Sequence, residues 1–356
     1  MWPRLVSQRL GIDYPLIVAP MAGGPSTPDL VAAVSEAGAL GSFGAGYLQP
    51  EAIRAAIREI RARTARPFAV NLFVPEVGPP PGEEAVAAAI AALEPIRREL
   101  KVPREIGLLG SSPSFSAQLA VVKEERVPAF SFTFGVLPAS EVRELHALGM
   151  MVMGTATTVE EARVLEANGI DAVVAQGAEA GGHRGTFAGP GEHGLIGTMA
   201  LVPQIEQAVR IPVIAAGGIM DGRGVVAAFA LGATAVQMGT AFLACPESGA
   251  HALHKQAVLE RSAFDQTRLT RAYSGKLVRG FGNRFMVEVE KAGAILPYPY
   301  QNAITRELRT EAAKQGRSDL ASMWAGQGAP LAAEKRAGEL VREVVAHAER
   351  VAAKLA

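Results

Sequence analysis

The segment Gln176-Gly177-Ala178-Glu179-Ala180-Gly181-Gly182-His183 sets one imidazole directly after two glycines, which carry no side chain to keep a ligand away. An imidazole with an ordinary pKa near ~6.5 is a usable general base at neutral pH. A lone histidine is as readily a structural group, so His183 stands as a candidate base beside that plainer reading. Asn71 and Gln176 each offer a donor and an acceptor on one side chain. Such amides suit the polar edge of a flavin ring, and equally an amide satisfied inside a core. Two further segments, Ala215-Ala216-Gly217-Gly218-Ile219 and Gln237-Met238-Gly239-Thr240, let the backbone approach a phosphate closely, with the Thr240 hydroxyl as an extra donor. Tight turns alone would also account for those glycines.

Other groups carry less. Glu179 is either a second acid–base group or a loop anchor, and His193 falls in a glycine-rich loop. His251 and His254 have i, i+3 spacing that could chelate a metal, but no Cys or carboxylate pattern accompanies them, so an exposed helix face is expected. Lys276, Arg279 and Arg284 could meet an anionic substrate, and a solvated surface is the favoured reading. Tyr273, Tyr298 and Tyr300 read equally as pocket, core or interface aromatics. No strand-associated GxGxxG, P-loop or G-x-S-x-G elbow is present.

Groups this far apart in sequence need a scaffold that gathers them. One pattern recurs: a helical run, Gly, then an unbroken apolar run, as at Gly38, Gly149, Gly169 and Gly232. Glycine just past a helix takes the left-handed position without a Cβ penalty. Unbroken apolar runs belong to parallel strands covered on both faces. Strands are expected at 16–21, 40–45, 68–74, 129–134, 150–154, 172–175, 213–216 and 235–239, with helices such as 50–63 and 159–168 between them. Eight such alternations argue for an α/β fold of the (β/α)8 TIM barrel type. The active site of such a barrel is built at the C-terminal strand ends, where Met21, Asn71, Gln176, Gly218 and Thr240 would collect.

After Cys245 the rhythm changes. A helix is expected over 251–261, with strand or loop at 267–274 and 285–289, then a long helix over 331–355. The division predicted is a barrel over 1–250 completed by the helix at 330–356, with a smaller cap or substrate domain over 251–329. Pro79-Pro80-Pro81-Gly82 reads as a stiff link.

Composition narrows the classes. The chain has 356 residues, 49% hydrophobic, with 35 Lys+Arg against 35 Asp+Glu. That apolar fraction excludes a disordered chain, and a net charge of zero removes the footprint of a nucleic-acid binder. The single cysteine, Cys245, cannot form an internal disulfide and fits a reducing, cytoplasmic setting. The first eleven residues lack the apolar core of a secretory signal. The uncharged stretch 224–246 is broken by Gly232, Thr234, Gln237, Gly239 and Thr240, so it reads as a buried helix and strand rather than a membrane span.

Taken together, these residues resemble the class I nitronate monooxygenases, formerly called 2-nitropropane dioxygenases. The match runs from Ala19-Pro20-Met21-Ala22-Gly23-Gly24 through Asn71, Gln176 and His183 to Ala216-Gly217-Gly218-Ile219 and Gln237-Met238-Gly239-Thr240. Tyr273-Ser274-Gly275-Lys276, Asn283-Arg284-Phe285, Pro297-Tyr298-Pro299 and Gln301-Asn302-Ala303 continue it. The resemblance implies FMN as cofactor, with Met21, Asn71, Gln176, Gly181, Gly218, Gln237, Met238, Gly239 and Thr240 around it and His183 as catalytic base. It implies oxidation of an alkyl nitronate by O2, by way of a flavin semiquinone, to a carbonyl product and nitrite. Propionate 3-nitronate is the expected physiological substrate. The partners implied are that small molecule and O2, with no nucleic acid, no membrane and no metal, in a monomer or homodimer. Two alternatives share the motifs: an NAD(P)H-dependent FMN reductase, of enoyl or quinone type, and a non-catalytic barrel that binds a phosphate ligand.

Overall fold

In the computed structural model, which describes residues 2–75, 78–103, 113–260 and 267–356, the apolar runs become strands of one parallel sheet. They are β1 (Leu16–Val18), β2 (Gly41–Gly44), β3 (Phe68–Phe73), β4 (Ala129–Thr133), β5 (Met151–Ala156), β6 (Ala172–Gln176), β7 (Val213–Ala216) and β8 (Ala235–Met238). Each pairs with its sequence neighbour, β1 pairs with β8, and a parallel bridge between Ile17 and Leu40 links β1 to the start of β2. The chain is therefore a (β/α)8 barrel. Glycines 38, 149, 169 and 232 all sit at positive φ just past helix ends, as their spacing predicted.

Strand periodicity explains how the barrel positions its site. Successive side chains point to opposite faces. Phe68, Val70, Leu72, Phe130, Phe132, Val152 and Val173 pack in the layer shared with the helices. Ala69, Ala129, Met151, Met153, Ala172, Val174, Ile214 and Ala235 form a separate inner core. Continuing along those inner faces, Ala69 leads to Asn71, Ala129 to Ser131 and Thr133, Met153 to Thr155, Val174 to Gln176, and Ala235 to Gln237. The barrel interior thus turns from apolar to amide and hydroxyl toward the C-terminal ends. Its opposite end is filled by Val6, Leu10 and Ile12 from the first helix, Leu5–Leu10, and the segment after it.

The last helix, Ala337–Leu355, buries Leu340, Val341, Val344, Val345 and Ala348 against Gly222–Ala230 and Pro28–Glu36, the helices after β7 and β1. It fits only because Gly222 has no side chain; a Cβ there would collide with the backbone at Ala348. Gly222→Ala is expected to cost about 1–3 kcal/mol by overpacking, read as a lower urea midpoint at unchanged slope.

Between barrel and last helix, Thr267–Thr270 pairs antiparallel with Val278–Phe281, which in turn pairs with Gly182–His183. The His183 loop is thereby stitched to the later part of the chain. A second apolar cluster unites Tyr273, Phe285, Met286, Val289, Ile304 and Leu308 with Leu93 and Ile96 of the helix Glu83–Glu99. The strand or loop expected at 285–289 is instead part of a helix, Arg284–Ala292, started by the Asn283 side chain accepting from the Met286 N–H. The helix expected over 251–261 spans Ala252–Leu259, and position 261 lies outside the described residues. The stretch expected as strand or loop over 267–274 is strand to Thr270 and turn beyond it, and the final helix begins at Ala337 after a short 3-10 turn at Ala329–Leu331.

Candidate functional site

A cavity of about 540 Å³ opens at the C-terminal ends of the barrel strands, and Asn71, Ser131, Thr133, Thr155, Gln176 and Gln237 form its polar floor. Asn71 is buried and donates from Nδ2 to the Ser131 hydroxyl at 2.9 Å. Its Oδ1 is buried and meets no donor among the described residues. A buried acceptor left unmade costs roughly 1–3 kcal/mol. An atom of that kind on a cavity floor is where a ligand N–H belongs.

Gln176 is committed differently. Its Nε2 donates to the His183 carbonyl at 3.0 Å, and its Oε1 accepts from the Gly185 N–H at 2.7 Å. Beneath it lies Arg184, fully buried, donating to the carbonyls of Gly177 and Gln176 at 2.6 Å each and of Gly194 at 2.9 Å. Burial lowers its pKa to about 10, so it stays charged at neutral pH. Glu179 accepts from the Thr198 N–H and hydroxyl, the latter at 2.8 Å. Its carboxylate anchors the loop; it does not line the cavity. Four side chains therefore fix the backbone on which His183 sits.

His183 stands at the cavity wall with Nε2 2.8 Å from the Ser274 hydroxyl. The rings of Phe134, Tyr298 and Trp324 surround it, with centroids at 5.9, 6.3 and 5.8 Å. Burial, then the Arg309 and Lys276 charges, push its pKa down to about 3. The imidazole is neutral throughout the physiological range. Lys276 is half-buried, with Nζ 4.7 Å from the Phe134 ring centre and 3.2 Å from the Thr186 carbonyl.

The rim is glycine backbone. Gly217 and Gly218 both hold positive φ, +117° and +71°, which the turn after β7 requires. Gly239 follows β8, and the Thr240 hydroxyl accepts the Gly326 N–H at 2.9 Å. Gly181 touches the backbone of Ala325 and Gly326 so closely that a Cβ would not fit. The orphaned Asn71 acceptor below and the glycine edges above suit a ligand that carries an N–H at one end and an anionic group at the other.

Of the residues singled out from sequence, Met21, Asn71, Gln176, Gly181, His183, Gly218, Gln237, Gly239 and Thr240 border this one cavity. Met238 is buried in the barrel core and does not. His251 and His254, expected on an exposed helix face, line the cavity instead, with His254 buried and 2.7 Å from the Trp324 carbonyl. Arg279, expected on the surface, is buried and donates to the Ala178 carbonyl at 3.0 Å. Tyr273 is core, stacked on Phe285 with centroids 4.4 Å apart. His193 is exposed in a short 3-10 turn, Gly191–Gly194. Sequence reasoning missed Tyr47, Phe134, Arg306 and Arg309, and named Asn302 only within a family motif, with no role. Phe134 was findable by extending to the end of β4 the question asked of the other strands.

Among the described residues, no helix is long and apolar enough to cross a membrane, and no group of three His, Cys, Asp or Glu could hold a metal ion. A family model described as nitronate monooxygenase matches residues 5–347. A probable nitronate monooxygenase of Bacillus subtilis is 44% identical over 325 residues, covering 90% of this chain and 92% of the relative. The solved nitroalkane oxidase from Streptomyces ansochromogenes is 41% identical with a TM-score of 0.92, over 99% of this chain and 100% of that one. FabK from Thermotoga maritima is 32% identical with a TM-score of 0.76, over 98% and 97%.

Proposed function

The chain belongs to the nitronate monooxygenase family, and from that premise we propose that it oxidises alkyl nitronates with O2 to a carbonyl product and nitrite, with FMN as cofactor and propionate 3-nitronate as substrate. One observation carries the reading: a neutral imidazole faces a cavity that has, among the described residues, an unmet buried acceptor on its floor and no carboxylate in its lining. In this reading Asn71 and Gln237 hold the ring edge, Gly218, Gly239 and Thr240 hold the phosphate, and Met21 and Gly181 bound the ring. The bound FMN supplies electron transfer between nitronate and oxygen. Residues 251–329 act as the cap, contributing Ser274, Asn302, Arg306 and Arg309.

The protein's own chemistry is proton transfer and charge. A nitronate arrives already deprotonated and needs no base. A neutral nitroalkane must lose its α-proton, and His183 takes it. Ser274 donates its hydroxyl hydrogen to the Lys276 carbonyl, so its oxygen accepts from the His183 Nε2–H and leaves the basic lone pair on Nδ1. Arg309 and Lys276 disfavour the imidazolium, and for the same electrostatic reason they favour the anion that proton removal creates.

The test is oxygen consumption. The flavin-loaded protein should take up O2 and release nitrite with propionate 3-nitronate in the absence of any nicotinamide. Rapid anaerobic bleaching by NADPH, with no nitronate-driven uptake, would favour the reductase alternative. A purified protein that retains no flavin would favour a simple phosphate-binding barrel.

A further inference from the structure

Among the described residues the cavity lining contains two arginines, Arg306 and Arg309, and no aspartate or glutamate. Arg306 is exposed at the opening, whereas Arg309 lies within, close enough to depress the His183 imidazole. No carboxylate pairs with Arg309 among the described residues. Its Nη2 donates to Asn302, to the side-chain Oδ1 at 2.7 Å and the carbonyl at 3.2 Å, and its Nε reaches the Thr305 carbonyl at 3.4 Å. All three acceptors belong to its own helix, Tyr300–Lys314. They fix the plane of the guanidinium and leave Nη1 without a partner among the described residues. A half-buried guanidinium, held rigid by its own helix, open to the cavity and given no counter-ion among the described residues, is poised for an anion brought from outside.

We propose that Arg309 is a specificity residue that binds a carboxylate on the substrate, selecting nitronates that carry a second negative charge at the end away from the reacting carbon. This rests on the nitronate reading of the site and adds the group that reads the far end of the substrate. Asn302 is its positioning partner: Oδ1 holds Nη2 so that Nη1 faces the ligand. Arg306 adds positive potential at the entrance and so favours entry of dianions. A planar fork suits a carboxylate in a way a point charge does not, so lysine is a partial substitute only.

The experiment compares Arg309→Met and Arg309→Lys with the parent flavoprotein, using propionate 3-nitronate and ethylnitronate, which lacks the carboxylate. Arg309→Met should raise KM for propionate 3-nitronate about 20-fold more than it raises KM for ethylnitronate, whose single charge loses only the general attraction of the guanidinium. Arg309→Lys should recover part of the loss. A second arm, independent of turnover, titrates succinate and butyrate calorimetrically. The parent should prefer succinate, and Arg309→Met should abolish the preference while flavin content stays constant. Equal losses for both nitronates, or an unchanged succinate preference, would overturn the assignment. A parent protein that consumes no O2 with either nitronate would overturn the reaction reading instead, and the succinate arm would then decide Arg309 alone.

Discussion

Replacing His183 with asparagine is expected to lower turnover of neutral nitroalkanes by about 10²–10⁴-fold, the usual contribution of a positioned general base, and to leave preformed nitronates within about threefold. Asparagine keeps a polar group of similar reach beside Ser274 but cannot accept a proton at neutral pH. The split between the two substrates is what identifies a base. A His183 that merely shaped the cavity would lose both activities together.

The pH profile gives an independent reading of the same residue. An ordinary imidazole would switch off nitroalkane turnover as pH falls through ~6.5. Here burial and the neighbouring cations hold the folded-state pKa near 3, so the neutral, competent form persists as pH falls. The acid limb of kcat/KM for a nitroalkane should therefore lie well below 6.5. The same depression carries a stability cost on the acid side. An unfolded chain binds a proton at His183 below about 6.5, and the folded chain does not until near 3. Folding stability should decline as pH drops through that window, and His254, held near 4 by burial, adds to the decline.

Asn71→Leu is expected to weaken flavin binding by about a hundredfold. The substitution preserves approximate volume but removes the acceptor at Oδ1 and the donor that satisfies Ser131. It leaves a ligand N–H and the Ser131 oxygen unpaired in a buried place, and such groups cost about 1–3 kcal/mol each. Asn71→Asp retains an acceptor and should lose less. Fluorescence titration of the flavin-free protein measures both. An affinity unchanged by Asn71→Leu would remove Asn71 from the binding floor.

The barrel was legible because its strands are buried on both faces, so Ala172–Gln176 reads as an apolar run closed by one polar residue and Phe68–Phe73 as an apolar run interrupted only by Asn71. Those lone polar residues, Asn71 and Gln176, marked the floor. The glycines at 38, 149, 169 and 232 punctuated the helices reliably, because only a residue without Cβ takes the left-handed position cheaply. The region after Cys245 was harder. Phe285-Met286-Val287-Glu288-Val289 alternates enough to suggest a strand, yet Asn283 caps a helix there and its buried side chains, Phe285, Met286 and Val289, recur at helical spacing on the second core. Local pattern lost to packing against Leu93 and Ile96, which lie almost two hundred residues earlier.

Charged residues were the other blind spot. Arg184 and Arg279 look like surface groups by composition, and are buried because backbone carbonyls of distant turns converge on them. Nothing in the one-dimensional chain announces those acceptors. Arg306 and Arg309 are also indistinguishable by type from the other basic residues of their helix; only the cavity wall separates them from solvent-facing neighbours.

A crystal structure of the protein grown with FMN tests the whole arrangement most directly. The ring should lie over the amide floor with its imide edge at Asn71, its phosphate against Gly218, Gly239 and Thr240, and the His183 imidazole facing it across the space left for substrate. A flavin bound elsewhere, or bound with His183 on the opposite side of the protein wall, would contradict the account.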